Sequence, residues 1–302
     1  MDETEQQHLS RRALVAGIVG LSVNAVGATA MAQIKIDLGS IGRMIKNISF
    51  DEEDEIALGE GLFGPLIQSS GGLYRNSNAQ SSISNIAQKL FETTSRNTFS
   101  WQLAIIDNNE VNAWALPGGK IGVNKGLLRY VDNEDELAAV IAHEMGHAEL
   151  SHATKEMRKK AFYAGLSSAA QTATASAVSD KARAGTRTGM KIVEAPMLRL
   201  VASGYSRDLE LEADMHILKA FERTGYDVTR GAGFYETLLE IIPQNSKGTT
   251  SLFAGHPETQ KRLTALREAG AGTPGGDGGF SYEFFALKET FPTRKIYKRA
   301  AG

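Results

Sequence analysis

His143-Glu144-Met145-Gly146-His147 is the stretch of this chain best suited to chemistry. On a helix, positions i and i+4 share a face, so His143 and His147 can both reach one metal ion. Glu144 follows the first of them, where a carboxylate can take a proton from a water held at the metal. The chain has 6 His and no Cys. Disulfides, iron–sulfur clusters and thiolate zinc sites are therefore excluded, and a third ligand must offer nitrogen or oxygen. Glu210 is the best candidate. It lies in the helical run Tyr205-Ser206-Arg207-Asp208-Leu209-Glu210-Leu211-Glu212-Ala213-Asp214. Asp214 sits one turn later on the same face, placed to accept a hydrogen bond from a ligand imidazole. Glu212 points away from that face and is a poor co-ligand. His152, nine residues after His143 and so two and a half turns on, is read as packing or surface.

The motif helix has clear start signals: Asn133 as N-cap and an acidic first turn, Glu134-Asp135-Glu136. It is expected to run to about Lys160. Before it, Trp101 to Ile106 reads as a strand and Asp107-Asn108-Asn109 as hairpin chemistry. Val111 to Leu116 reads as a second strand, Pro117-Gly118-Gly119 as a turn and Lys120 to Val123 as a third strand. The expected class is α+β, mostly helical, with a small antiparallel sheet beside the motif helix. If Asn112–Leu116 is an edge strand, an extended peptide can pair with it; Asn112, Ala113, Trp114, Pro117 and Gly118 are then the substrate-binding candidates. Trp114 reads equally as a core residue. The acidic run Asp51–Glu55 suits a helix start, and Ile83, Ile86, Ala87, Leu90 and Phe91 repeat at helical spacing. Later helices are expected through Phe221, ended by Gly225; from about Gly233 to Ile242; and from His256-Pro257-Glu258 to near Ala269. Ser281 to Phe291 has mixed strand character.

Composition bounds the rest. With 302 residues, 42% of them hydrophobic and 23% charged, the chain can bury one large core or two small ones. A formal charge of −2 gives no drive toward nucleic acid or anionic membrane. Ser10-Arg11-Arg12 precedes a weakly apolar run ending at Ala30-Met31-Ala32. That is the layout of an export signal over residues 1–32, of the twin-arginine or the general secretory kind, with an uncleaved anchor as the alternative. It implies a periplasmic or otherwise exported protein. Residues 33–270 are expected to form one domain, followed by a Gly-rich linker and tail over 271–302. The Ala/Ser/Thr/Gly-rich stretch 161–188 reads as a small-residue helix, a lid, or a segment giving peripheral membrane association.

Together these residues resemble a known family. His143-Glu144-Met145-Gly146-His147 with Ser206 to Asp214 is similar to the gluzincin peptidases grouped with the CaaX prenyl protease, HtpX, BepA and the mitochondrial Oma proteases (metallopeptidase family forty-eight). Asn112-Ala113-Trp114-Ala115-Leu116-Pro117-Gly118-Gly119 with Gly126-Leu127-Leu128 and His256-Pro257 with Arg262 resemble two further elements of that family. The resemblance covers roughly Glu55 to Arg267. It implies a zincin-like fold and one Zn2+ per chain, held by His143, His147 and Glu210. It also implies Glu144 as general base in peptide hydrolysis. His256 is the candidate oxyanion donor or, alternatively, a resting-state cap on the zinc; Tyr205 is a second candidate donor. Arg262 either pairs with Asp214 or assists the oxyanion. Neither a multi-span region nor a C-terminal tetratricopeptide array is evident, so an exported peptidase acting on unfolded or misassembled envelope proteins is the closer picture. A chaperone-like binder of unfolded chains with little turnover is the alternative.

Overall fold

Alternate residues of three short strands point to opposite faces, and both sets are buried. The computed structural model describes residues 51–159, 204–241, 259–272, 275 and 280–294. In it β1 (Gln102–Ile106), β2 (Ala113–Leu116) and β3 (Lys120–Asn124) form one sheet in the order β1-β3-β2. Leu103, Ile105, Ala113, Ala115, Ile121 and Val123 face one core, while Ala104, Ile106, Trp114 and Leu116 face another. The first face is covered by α2 (Ser77–Phe91) and α3 (Glu134–Glu149), the second by α1 (Glu52–Ser69) through Leu58, Leu66 and Ile67. Burial on both faces is why these strands read as nearly continuous apolar runs.

The α+β class stands, mostly helical with one small sheet beside the motif helix, but the sheet is mixed. β2 pairs antiparallel with β3, Leu116 opposite Lys120, whereas β1 pairs parallel with β3, Gln102 opposite Lys120. The hairpin expected across Asp107-Asn108-Asn109 does not form. That loop carries the chain past β3 to the far edge, and its backbone bonds beyond the end of β3. Lys125 N–H donates to the Ile106 carbonyl at 3.0 Å and Gly126 N–H to that of Asn108 at 2.9 Å. Turn residues mark a reversal but do not name the strand that will lie alongside. The tight hairpin is the next one, β2 to β3 over Pro117-Gly118-Gly119. There Gly118 (φ 71°) and Gly119 (φ 80°) take the left-handed conformation that glycine adopts without strain.

Both expected helix starts are present. Asp51 and Asp54 cap α1 reciprocally, and the Asn133 side chain accepts from Glu136 N–H at 2.9 Å to open α3. Every residue of α3 is buried. The helix stops at Glu149, however, not near Lys160. Leu150 caps it, Ser151 has φ 57°, and a separate helical stretch covers 152–159. A left-handed serine costs about 1–2 kcal/mol, and it is held by its neighbours. Ser151 Oγ donates to Glu55 Oε2 (3.0 Å) and accepts from Arg96 Nη2 (2.7 Å), while Thr154 Oγ1 donates to Glu55 Oε1 (2.7 Å).

The remaining helices are α4 (Arg207–Thr224), closed by Gly225 as expected, α5 (Val228–Gly231), α6 (Gly233–Ile241), α7 (Thr259–Gly270) and α8 (Tyr282–Thr290). The last corrects the strand character expected for Ser281–Phe291. Phe284, Leu287 and Phe291 recur at helical, not alternating, spacing and are buried in the main core. Ser281 caps this helix by accepting from Phe284 N–H at 3.1 Å. Lys288 Nζ ties it to the loop before α3, donating to the carbonyls of Leu128 (3.0 Å) and Val131 (2.8 Å). Among the described residues, no helix is long and apolar enough to cross a membrane. The expected signal over 1–32, the stretch 161–188 and His256 lie outside the described residues.

Candidate active site

The site forms where α3 and α4 cross. Gly146, inside the histidine motif, makes that crossing close: a Cβ there would lie 2.9 Å from His216 Cβ and 3.0 Å from Ala213 Cα. With the two backbones this near, α4 presents Glu210 and Asp214 to the histidines of α3. All four side chains are buried, as is Glu144 next to His143.

The Nε2 atoms of His143 and His147 are 3.0 Å apart. Glu210 Oε2 lies 3.5 Å from His143 Nε2, and its Oε1 lies 3.5 Å from His147 Nε2. One donor atom from each residue falls within 4.8 Å of the others. Ligands about 2.0–2.1 Å from a tetrahedral centre are spaced about 3.3 Å from one another. The donor set and its spacing therefore suit a metal ion that takes two imidazoles and a carboxylate.

Each imidazole is steadied from behind. His143 Nδ1 lies 3.0 Å from Asp214 Oδ1. Asp214 also accepts from Arg262 Nε and Nη2, both at 2.7 Å, and from the Tyr235 hydroxyl at 2.6 Å. Arg262, buried on α7, is 2.9 Å from Glu210 Oε2 through Nη1. Arg262 thus pairs with Asp214, and the pairing extends to Glu210. Burial alone would raise the Asp214 carboxyl, but Arg262 and His143 outweigh it and hold the carboxyl well below its usual range. For His143, burial and Arg262 press downward, yet hydrogen bonds with Asp214 and Glu210 prevail and hold the imidazole up at about 9.

His147 is backed differently. Its Nδ1 is 2.9 Å from His152 Nδ1, and His152 Nε2 is 3.2 Å from Glu212 Oε2. His152 is thus no surface residue; it is wholly buried against a ligand candidate. Of packing or surface, packing is what the structure shows; the direction differs from that of an unbroken helix through Ser151, because the left-handed turn there brings His152 back over His147. Burial pushes the His152 imidazole down to about 4, against the pull of Glu212, so the ring is neutral at ordinary pH. Tyr205 stacks on His147, with ring centroids 4.1 Å apart and an 18° tilt, and so packs the imidazole face. Tyr235 carried no local sequence signal; it sits 21 residues from the Asp214 it touches.

The substrate-binding candidates fall on the sheet edge and the turn after it. Asn112, Ala113 and Trp114 are buried at or in β2, which is an edge strand; Trp114 packs edge-on against Phe63 in the second core. Pro117 and Gly118 are buried against α1, where a Cβ on Gly118 would meet Ile56 Cα at 2.8 Å.

Comparison with known proteins agrees with this geometry. The profile of Peptidase family M48 matches residues 75–270. The beta-barrel assembly-enhancing protease of Escherichia coli K12 is 30% identical over 173 residues, which cover 54% of this chain and 33% of that protein. The metalloprotease YcaL of the same organism is 31% identical over 166 residues, 53% of this chain and 58% of YcaL. The mitochondrial metalloendopeptidase OMA1 of Arabidopsis thaliana is 31% identical over 170 residues, 56% of this chain and 32% of OMA1. The chain thus spans about a third of the length of two of these relatives and somewhat over half of the other. The matched span contains both histidines, Glu144, Glu210, Asp214 and Arg262, and the chain belongs to peptidase family M48.

Proposed function

We propose that this chain is a zinc-dependent metalloendopeptidase. The observation that carries the reading is the convergence of His143, His147 and Glu210 within 4.8 Å, with Glu144 buried beside them on the same helix. One zinc held by these three residues would supply a Lewis acid that acidifies water and polarises the scissile carbonyl. Glu144 takes the proton of the attacking water and delivers it to the leaving amine. Asp214 fixes the Nδ1–H tautomer of His143 and leaves Nε2 for the metal. Arg262 balances the buried charge of Asp214 and Glu210. As the edge strand of the sheet, β2 is the candidate for pairing with an extended substrate chain, with little selection among side chains. His256 is the proposed oxyanion donor or resting-state cap.

The natural substrates in this reading are unfolded or misassembled envelope proteins. Support comes from the similarity to a protease named for enhancing β-barrel assembly and from the export-signal layout of residues 1–32. N-terminal sequencing of the exported form is expected to find a start at Gln33.

The test is Glu144→Gln assayed on casein and on an unfolded envelope protein. Loss of a general base should lower kcat/KM about 10²–10⁴-fold while one zinc per chain is retained. Degradation at the wild-type rate would remove the peptidase reading.

A further inference from the structure

We infer that His152 and Glu212 form a relay that orients His147 for the metal, a positioning role separate from that of Asp214 on His143. The inference rests on the metal site proposed above. Three observations carry it.

The first is direction. If His147 uses Nε2 for the metal, its Nδ1 carries the proton. His152 Nδ1, 2.9 Å away, can only accept that proton's hydrogen bond, so His152 Nε2 carries the next N–H. Glu212 Oε2, 3.2 Å further on, accepts it. One set of tautomers satisfies the whole chain from metal ligand to carboxylate. A ring turned the other way would set donor against donor.

The second is the turn that delivers His152. A non-glycine residue in the left-handed region persists only where surrounding structure over-determines it, and such outliers point to function. Ser151 is that outlier, at φ 57°. Glu55, Arg96 and Thr154, from α1, the α2–β1 connection and the stretch after the turn respectively, all brace it. What the turn achieves is to end α3 and set a wholly buried imidazole against His147.

The third is that α4 serves both ligands at once. Glu210 and Asp214 reach the histidines directly from one face. Glu212 leaves the helix on another side, with its side chain 50% exposed, and reaches His152 and Lys155 (3.5 Å). Glu212 therefore closes the His147 branch from the solvent side, as Arg262 and Tyr235 close the His143 branch from within.

The experiment measures zinc affinity of the full chain by competition with a chromogenic chelator. Cobalt(II) absorption reports ligand geometry, and the metal-free unfolding midpoint is recorded alongside. Glu212→Ala and His152→Leu should bind zinc roughly 10–100-fold more weakly, with altered cobalt bands. His152→Asn, whose side-chain oxygen can accept from His147 Nδ1–H, should recover most of the loss. The metal-free midpoint of Glu212→Ala should match wild type. Because Glu212 is half-exposed, that variant decides the matter even if His152→Leu does not fold. Wild-type zinc affinity in Glu212→Ala, or a loss matched by a fall in the metal-free midpoint, would overturn the relay. Failure of the metal site itself reads differently: His147→Ala would then bind zinc no more weakly than wild type.

Discussion

Arg262 faces two buried carboxylates, Asp214 at 2.7 Å and Glu210 at 2.9 Å, and neutralises half of their combined charge before any metal enters. Removing one partner of a buried ion pair leaves an uncompensated charge and costs about 3–5 kcal/mol. Arg262→Leu is expected to destabilise the metal-free protein by about that amount in urea unfolding, and saturating zinc should narrow the gap by neutralising Glu210. Asp214→Asn keeps the shape but offers His143 a weaker acceptor. It should weaken zinc binding about 10–100-fold in chelator competition. At this scale the site was legible wherever spacing along one helix decides the outcome: His143 with His147, and Glu210 with Asp214. It was not legible where the contact is tertiary. Tyr235 and His152 touch these residues only because chain segments far apart, or a single left-handed turn, bring them there.

Among elements, the crossing of α3 and α4 sets the tolerance of the site. Gly146→Ala would place a methyl group 2.9 Å from His216 Cβ and 3.0 Å from Ala213 Cα, on backbone that has no slack. Overpacking of this kind costs about 1–3 kcal/mol. The variant should show a lowered unfolding midpoint together with weaker zinc binding, because the helices separate where the ligands meet. The helix ends at Asn133, Asp51 and Gly225 were readable from caps, which act within one turn of the chain; the stop of α3 at Glu149, set by tertiary contacts around Ser151, was not. The sheet was readable as three strands but not as an order, since parallel pairing of β1 with β3 depends on which edge a loop reaches. For α8, mixed strand character was expected; the buried set Phe284, Leu287 and Phe291 follows a helix because only that period meets the core.

For the molecule as a whole, Glu149 at the end of α3 is a junction. Its carboxylate accepts from Thr94 Oγ1 (2.7 Å), Ser95 Oγ (2.6 Å), His216 Nε2 (3.0 Å) and Lys219 Nζ (2.9 Å), linking α3, α4 and the connection after α2. Burial would raise this carboxyl, but the hydrogen bonds, led by that from His216, outweigh it and hold it well below its ordinary value. Below the unfolded-state value of about 4.3 the unfolded chain binds a proton that the folded chain still refuses. The contribution is therefore present above that pH and lost as pH falls toward the folded value. Unfolding free energy of the wild type should decline more steeply than that of Glu149→Gln as pH drops below about 4.3. Truncating Phe284, buried in the main core, to Ala should cost about 3–5 kcal/mol in the same assay.

Complete burial of α3 also sets a clock. A helix with no solvent face cannot fray locally, so its amides exchange with deuterium only when the whole molecule opens. The backbone of His143 to His147 should therefore be among the slowest-exchanging segments, slower than the ends of α8. Zinc that binds only the folded chain should slow that exchange further, about 100-fold at a concentration one hundred times its Kd. The exchange rate of the motif thus reports metal occupancy without any substrate being cut.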